Sequence, residues 1–276
     1  MSVEALKARQ KLAWGLDVDA YVRFTGPELG PVADRLIEIA DPGWGGSVLD
    51  VGCGPGTVTI RLAERVGPTG RVVGVDLAPP MVAYAERHAQ AQGVTNTTFL
   101  VGDAEDMGDV PDAAFDIAVS NFGVIFAPRA DRMVSEVARV LKPGGAFALS
   151  VWVPVGPVAE TFELLASVTP PPPEDVATPE SWGDAQAALA RLGTHFNEVT
   201  WTEIIVPCEY ASVDLAWQRM RDGRPPFALA YGRMTLDQKQ EIEQRARELF
   251  RKYTDASGRV RYDRAAAIAR GVRRDF

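Results

Sequence analysis

Three glycines spaced by single residues close an apolar run in the first quarter of the chain, which reads Leu49-Asp-Val-Gly-Cys-Gly-Pro-Gly56. A turn of this kind, entered from a strand over Ser47 to Val51, reverses tightly and brings the backbone against a ligand with no Cβ in the way. Asp76 ends a second apolar run, Arg71 to Val75, twenty residues beyond Gly56. A carboxylate at the mouth of that second strand can accept two hydrogen bonds from ribose hydroxyls. Together these features predict a strand–turn–helix–strand unit with a nucleoside pocket at its open end. The dinucleotide pattern Gly-x-Gly-x-x-Gly does not fit, because Thr57 occupies the place of its third glycine. Asp50, just before the turn, disfavours a pyrophosphate and suits a ligand carrying an ammonium or sulfonium group.

The pattern continues as alternating apolar strands and amphipathic helices. Helices are expected over 3–14 and 31–40, then strand 47–51, helix 57–66, strand 71–75 and helix 79–92, which opens on Pro79-Pro80 and stops at Gly93. Strands 97–101 and 115–120, helix 129–141 and strand 146–152 follow. Short apolar strands separated by helices predict a parallel sheet covered on both faces. Ligands of such sheets sit at the carboxyl ends of the strands, where Gly52, Asp76, Asp103 and Asn121 all fall. Later segments read as helix 158–168, an extended loop through Pro170–Pro173, helix 182–192, strand 197–210 and helix 212–221. A break at Gly223-Arg-Pro-Pro226, a charged helix 236–253 and a closing strand 261–272 complete the pattern.

The motifs resemble those of the class I S-adenosylmethionine-dependent methyltransferases. Val48 to Gly56 is similar to their first motif, and Phe99-Leu-Val-Gly-Asp-Ala-Glu105 to the end of their third strand. Phe115-Asp-Ile-Ala-Val-Ser-Asn121 resembles their fourth strand, and Val140-Leu-Lys-Pro-Gly-Gly145 the turn into the fifth. The likeness runs over about 47 to 152, with Phe122-Gly-Val-Ile-Phe-Ala-Pro128 closest in flavour to quinone-biosynthesis C-methyltransferases. It implies a doubly wound, mostly parallel, Rossmann-like sheet of seven strands with the last two antiparallel. It also implies S-adenosylmethionine as cofactor and methyl transfer to an oxygen, nitrogen or carbon of a small molecule.

On this reading the chain divides into an N-terminal helical lid (1–46), the cofactor-binding core (47–153) and its completion with the proline-rich loop (154–210). A helical cap insertion (211–258) and a closing strand with tail (259–276) follow. The resemblance assigns cofactor contacts to Asp50, Gly52, Cys53, Gly54, Gly56, Asp76, Leu77, Met81, Asp103, Ala104, Asn121 and Tyr21. Each has a plainer alternative. Asp76 would serve equally as a helix cap, Met81 as helix packing, Asn121 as a turn residue, and Tyr21 as a partner for Trp14. Asp103 shares its loop with three other aspartates. Trp152 and Trp201 are candidates for an aromatic wall. Tyr21, Asn121 and His195 are the only candidates for a catalytic role, and no general base stands out. The fourth strand ends Ser-Asn-Phe-Gly rather than Asn/Asp-Pro-Pro-Tyr/Phe, which favours a small-molecule acceptor over a nucleobase or a protein amide.

Composition narrows the classes further. Net charge is −8, against a nucleic-acid partner, and the arginine-rich tail (Arg259, Arg261, Arg264, Arg270, Arg273 and Arg274) reads as a solvated face. Two cysteines and two histidines predict neither a disulfide framework nor a metal site, and a reducing cytoplasm fits. No apolar run reaches the ~18 residues needed for insertion into a membrane. The amphipathic terminal helices suit a cap or a homodimer equally well. Two other activities share such a sheet: a cofactor-assisted cyclisation or rearrangement without methyl transfer, and an NAD-linked oxidoreductase, against which Thr57 and Asp50 weigh.

Overall fold

Every residue of β1 (Ser47–Val51) is buried, as a strand covered by helices on both faces requires. In the computed structural model, which describes residues 1–174 and 176–275, β1 pairs in parallel with β2 (Arg71–Asp76) on one side and β4 (Phe115–Asn121) on the other. Further out lie β3 (Thr97–Val101), β5 (Leu141–Trp152), β6 (Phe196–Tyr210) and β7 (Val260–Arg273), giving the order β3-β2-β1-β4-β5-β7-β6. β7 runs antiparallel to both of its neighbours. The seven-stranded, mostly parallel sheet expected from the sequence is therefore present, with the last strand inserted between the fifth and sixth. β3 departs from two-sided burial: as an edge strand it leaves Leu100 and Val101 exposed.

The core-side helices are α3 (Gly26–Ala40), α4 (Thr57–Val66), α5 (Pro79–Ala91), α6 (Ala130–Val140) and α8 (Ala185–Leu192). Leu36 and Ala40 of α3 and Leu62 and Val66 of α4 pack on one face of the sheet, against Val48, Val119 and Ile268. Met133 and Val137 of α6 and Leu192 of α8 pack on the other, with Phe147, Leu149 and Phe196. Full burial of each of these side chains larger than alanine contributes about 1.5–3 kcal/mol. A separate cluster, built on Trp217, Phe227, Ile242 and Phe250, binds α9 (Val213–Gly223), α10 (Pro225–Gly232) and α11 (Leu236–Arg251) together over Tyr210 and Val260. The remaining helices are α1 (Val3–Trp14), α2 (Val18–Phe24) and α7 (Pro157–Ala166).

Four boundaries differ from the sequence reading, each for a local reason. α3 begins at Gly26 rather than Pro31, since Pro27 sits harmlessly in the first turn and the buried Leu29, Val32 and Ala33 carry the helix past Pro31. The expected helix 182–192 starts at Ala185: Trp182 ends a single 3-10 turn, and the Asp184 carboxylate caps the helix by accepting from Ala187 N at 2.8 Å. β5 starts at Leu141, with Lys142-Pro-Gly-Gly145 looped out as a bulge between the Phe115↔Leu141 and Ile117↔Ala146 pairs. The presumed break at Pro225-Pro226 instead opens α10, because first-turn prolines forfeit no helical hydrogen bond.

Candidate active site

At the carboxyl ends of β1, β2 and β4 the chain turns away from the sheet and leaves a cavity of ≈570 Å³, within the range of small-molecule sites. One end is walled by the glycine turn. Gly54 has φ +53°, and a Cβ built there would meet nothing within 4 Å, so it would project into the open cavity. Gly52 is required for a different reason. A Cβ on it would fall 2.7 Å from Gly123 Cα, so the loops after β1 and β4 touch backbone to backbone. Gly56 is held to its size by packing, with Ala85 Cβ 2.9 Å from where its own Cβ would stand.

Asp76 joins this turn to the next. Its Oδ2 accepts from Gly54 N at 2.8 Å and its Oδ1 from Ala78 N at 2.9 Å. It thus closes a local turn leading into α5 and clamps the glycine turn, while also lining the cavity. Burial pushes its carboxyl above the ordinary value, opposed by those two hydrogen bonds. Tyr21 lines the same end. Its ring meets Trp14 edge-on at 5.8 Å, and Trp14 in turn meets Phe126 at 5.0 Å. Burial, and then the Asp76 charge, raise the Tyr21 hydroxyl far above the usual phenol range, so it remains a donor.

Asp103 and Ala104 line the cavity beyond β3, and Leu77 and Met81 line it beyond β2. Lys7 of α1 reaches Asp103 Oδ2 at 2.6 Å and also pairs with Glu105. Glu105, almost fully buried, accepts from Arg129 Nε at 2.6 Å and from Arg129 N at 2.7 Å. Gln10 Nε2 donates to Phe126 O at 2.9 Å and Glu4 pairs with Arg129 at 3.5 Å, so α1 is fastened across the top of the site through Glu4, Lys7 and Gln10. On the β4 side, Asn121 Oδ1 accepts from Ser150 Oγ at 2.8 Å, and Ser150 Oγ accepts from Phe122 N. That network holds Phe122 in the left-handed region at φ +60°, a conformation rare for an aromatic residue.

The structure gathers Tyr21, Gly52, Gly54, Asp76, Leu77, Met81, Asp103, Ala104 and Asn121 around one cavity, and sets four candidates apart from it. Asp50 lies behind the turn, 1% exposed, with Oδ2 accepting from Thr59 Oγ1 at 2.7 Å. Cys53 points away from the cavity into a cluster with Ile60 of α4, Val82 of α5 and Phe99 of β3. Gly56 faces α5. His195 precedes β6 beside Arg274, at the end of the sheet where β5 begins, opposite the cavity. Trp152 lines the cavity, whereas Trp201 packs against the main core. The sequence reading missed Lys7, Glu28 and Gly123, and it placed Arg264 on a solvated face, whereas β7 buries it to 6% exposure beside the cavity. Gly123 was legible as a glycine two residues past the end of β4; Lys7 and Glu28 carry no local signal.

A family model described as a methyltransferase domain matches residues 48–145, from β1 to the bulge of β5. Aklanonic acid methyltransferase of Streptomyces sp. (strain C5) is 37% identical over 157 residues, covering 55% of this chain and 69% of that protein. The chain belongs to the class I S-adenosylmethionine-dependent methyltransferases. It is also similar to nocamycin O-methyltransferase of Saccharothrix syringae, 39% identical over 124 residues, or 45% of this chain and 44% of that one. A demethylmenaquinone methyltransferase of Lactobacillus johnsonii is 39% identical over 102 residues, 37% of this chain and 41% of that one, in keeping with the quinone-type flavour of the motifs. The methyltransferase thus spans less than half the length of the latter two relatives. The fold is shared with the YcgJ protein of Bacillus subtilis, at TM-score 0.62 and 23% identity, covering 88% of this chain and 98% of that chain. Family membership weighs against the NAD-linked alternative. No helix among the described residues is long and apolar enough to cross a membrane.

Proposed function

We propose that this methyltransferase moves the methyl group of S-adenosylmethionine to an oxygen, nitrogen or carbon of a small, largely apolar acceptor. The observation that carries this reading is the continuity of the cavity. Its glycine-turn end offers Gly54, Asp76 and Asp103, and its other end is walled by α1, α7, α10 and Trp152. The residues present fit the cofactor: a Cβ at Gly54 would occupy space a ligand needs, and Asp76 stands where ribose hydroxyls would be received.

When bound, S-adenosylmethionine supplies a methyl group already activated on a sulfonium sulfur. The protein's own task is then alignment and exclusion of water, which can lower a barrier by up to roughly 7–11 kcal/mol. Asp76 and Asp103 orient the nucleoside end. Tyr21 and Trp14 cover the turn from above, and Phe122 stacks on Trp152 at 4.3 Å in the cavity wall. We assign no general base, and an acceptor already deprotonated needs none. The N-terminal helices, which suited either a cap or a homodimer, pack over the cavity of their own chain, and we read them with α9–α11 as the cap. We place the enzyme in the cytoplasm, where free thiols such as Cys53 and Cys208 persist.

Calorimetric titration with S-adenosylmethionine, S-adenosylhomocysteine and NADH tests the reading. Micromolar binding of the first two, with one-methyl mass shifts on screened acceptors, is the expected result. Binding of NADH alone would overturn it, and product formed without consumption of S-adenosylmethionine would favour the cyclisation alternative.

A further inference from the structure

The acceptor end of the cavity contains a buried positive charge with too little negative charge around it. Arg264 lies near the start of β7, opposite Val206 and two residues before Ala266, which pairs with Trp152. It is 6% exposed and lines the cavity, with its guanidinium carbon 5.0 Å from the centre of the Trp152 ring. Its Nη1 donates to Glu28 Oε2 at 2.9 Å, while its buried Nε has no partner among the described residues.

Glu28 does not belong to Arg264 alone. Its Oε1 accepts from the Tyr210 hydroxyl at 2.9 Å and stands 3.6 Å from Nη1 of Arg219, whose Nε is likewise buried and unpartnered. Two guanidinium groups therefore share one carboxylate. The other acids nearby do not repair the imbalance. Glu209 adjoins both arginines in a smaller cleft of ≈160 Å³ but is engaged by Arg259 and Arg261. Asp263 is exposed to solvent. Glu180 lines the main cavity without an ion pair to Arg264 among the described residues, and Arg9 and Arg224 add further positive charge to the same lining. A buried guanidinium left short of counter-charge is strongly unfavourable, and the planar fork of donors on a guanidinium matches the two oxygens of a carboxylate.

We propose that Arg264 anchors a carboxylate carried by an otherwise apolar acceptor, so that the substrates of this enzyme are apolar carboxylic acids. The inference rests on the methyl-transfer reading of the same cavity. The apolar part of the acceptor lies against Trp152, Val158, Phe162, Leu165 and Phe227, all of which line the cavity. Arg264 is a specificity-determining residue, placed by its contacts with Glu28 and the Trp152 ring.

The test uses the full chain loaded with S-adenosylhomocysteine, titrated calorimetrically at pH 7.5 with 2-naphthoate and with 2-naphthamide, which share an apolar body and differ in charge. Naphthoate should bind at least tenfold more tightly than the amide. Arg264→Gln should bring the two to parity and Arg264→Lys should retain part of the preference, with S-adenosylhomocysteine affinity unchanged within twofold. A structural role alone would lower the affinities for acid and amide together. The proposal is overturned if the parent chain binds naphthoate no better than naphthamide, neither binding included, or if the preference survives Arg264→Gln. Should the glutamine variant not fold, the parent preference and the lysine variant decide. Failure of the parent chain to bind S-adenosylhomocysteine at all would instead overturn the methyl-transfer reading, and is seen before either naphthalene is added.

Discussion

The two ends of the cavity are built in opposite ways. Apart from Tyr21 and Trp14, which are laid over it, the cofactor end comes from strand-end turns between Gly52 and Asn121, each fixed by its own strand and helped by glycines and backbone hydrogen bonds. The acceptor end draws Arg9, Glu28, Trp152, Leu165, Phe227 and Arg264 from helices and strands spread across the whole chain. The first is a local property of a common sheet, and the second exists only once α1, α7, α10 and β7 have assembled. Shared chemistry is therefore written in short motifs, whereas substrate choice is written in packing.

The sharpest way to break this contrast is Gly54→Val. Its side chain would enter the cavity from a backbone at φ +53°, so S-adenosylhomocysteine affinity should fall at least hundredfold in a protein that still melts cooperatively. Retained affinity would place the cofactor elsewhere. Asp76→Ala comes next. Losing both the ribose acceptor and the clamp on Gly54 N should weaken cofactor binding at least tenfold, about 1.4 kcal/mol. Unchanged affinity would leave Asp76 with only its turn-closing bond to Ala78.

Asp50 sharpens the comparison through pH. Burial pushes its carboxyl up to about 7, with the Thr59 hydrogen bond opposing and the Asp76 charge assisting. Between about pH 4 and pH 7 the folded chain holds a proton that the unfolded chain has released, so stability falls as pH rises through that window and the cost is complete above it. Asp50→Asn should therefore raise the melting temperature of the cofactor-free enzyme by about 3 °C or more at pH 8, and by less than half as much at pH 5. A gain independent of pH would show that the carboxyl titrates normally. The smallest expected effect is Tyr21→Phe, a severalfold drop in turnover with cofactor affinity unchanged. If neither quantity moves, Tyr21 serves only to pack Trp14.

The same division explains what could be read in advance. The sheet, its order of elements and most of the cofactor end were legible, because runs such as Val48–Val51 and turns such as Gly52–Gly56 fix structure over a few residues. Asp50 and Cys53 were placed on the ligand by motif alone, and only the register of the turn shows that they face Thr59 and Phe99. Pro225-Pro226 looked like a break because proline is punctuation in sequence but a good first turn in space. Glu28 and Arg264 are separated by more than 230 residues, so neither has a neighbour in sequence that gives it away. A charged residue at an inward position of a strand becomes visible only when that strand has been laid beside its partners.

The insertion of β7 between β5 and β6 also orders events in time. On the ribosome, β5 leaves the exit tunnel roughly a hundred residues before the strand that will cover its edge, several seconds at usual rates of synthesis. β6 emerges in between and cannot dock directly without taking a place reserved for another strand. Arg264 travels on that latecomer. The nascent chain can therefore assemble the glycine turn early, yet acquires its means of choosing a substrate only at the stroke that seals the sheet.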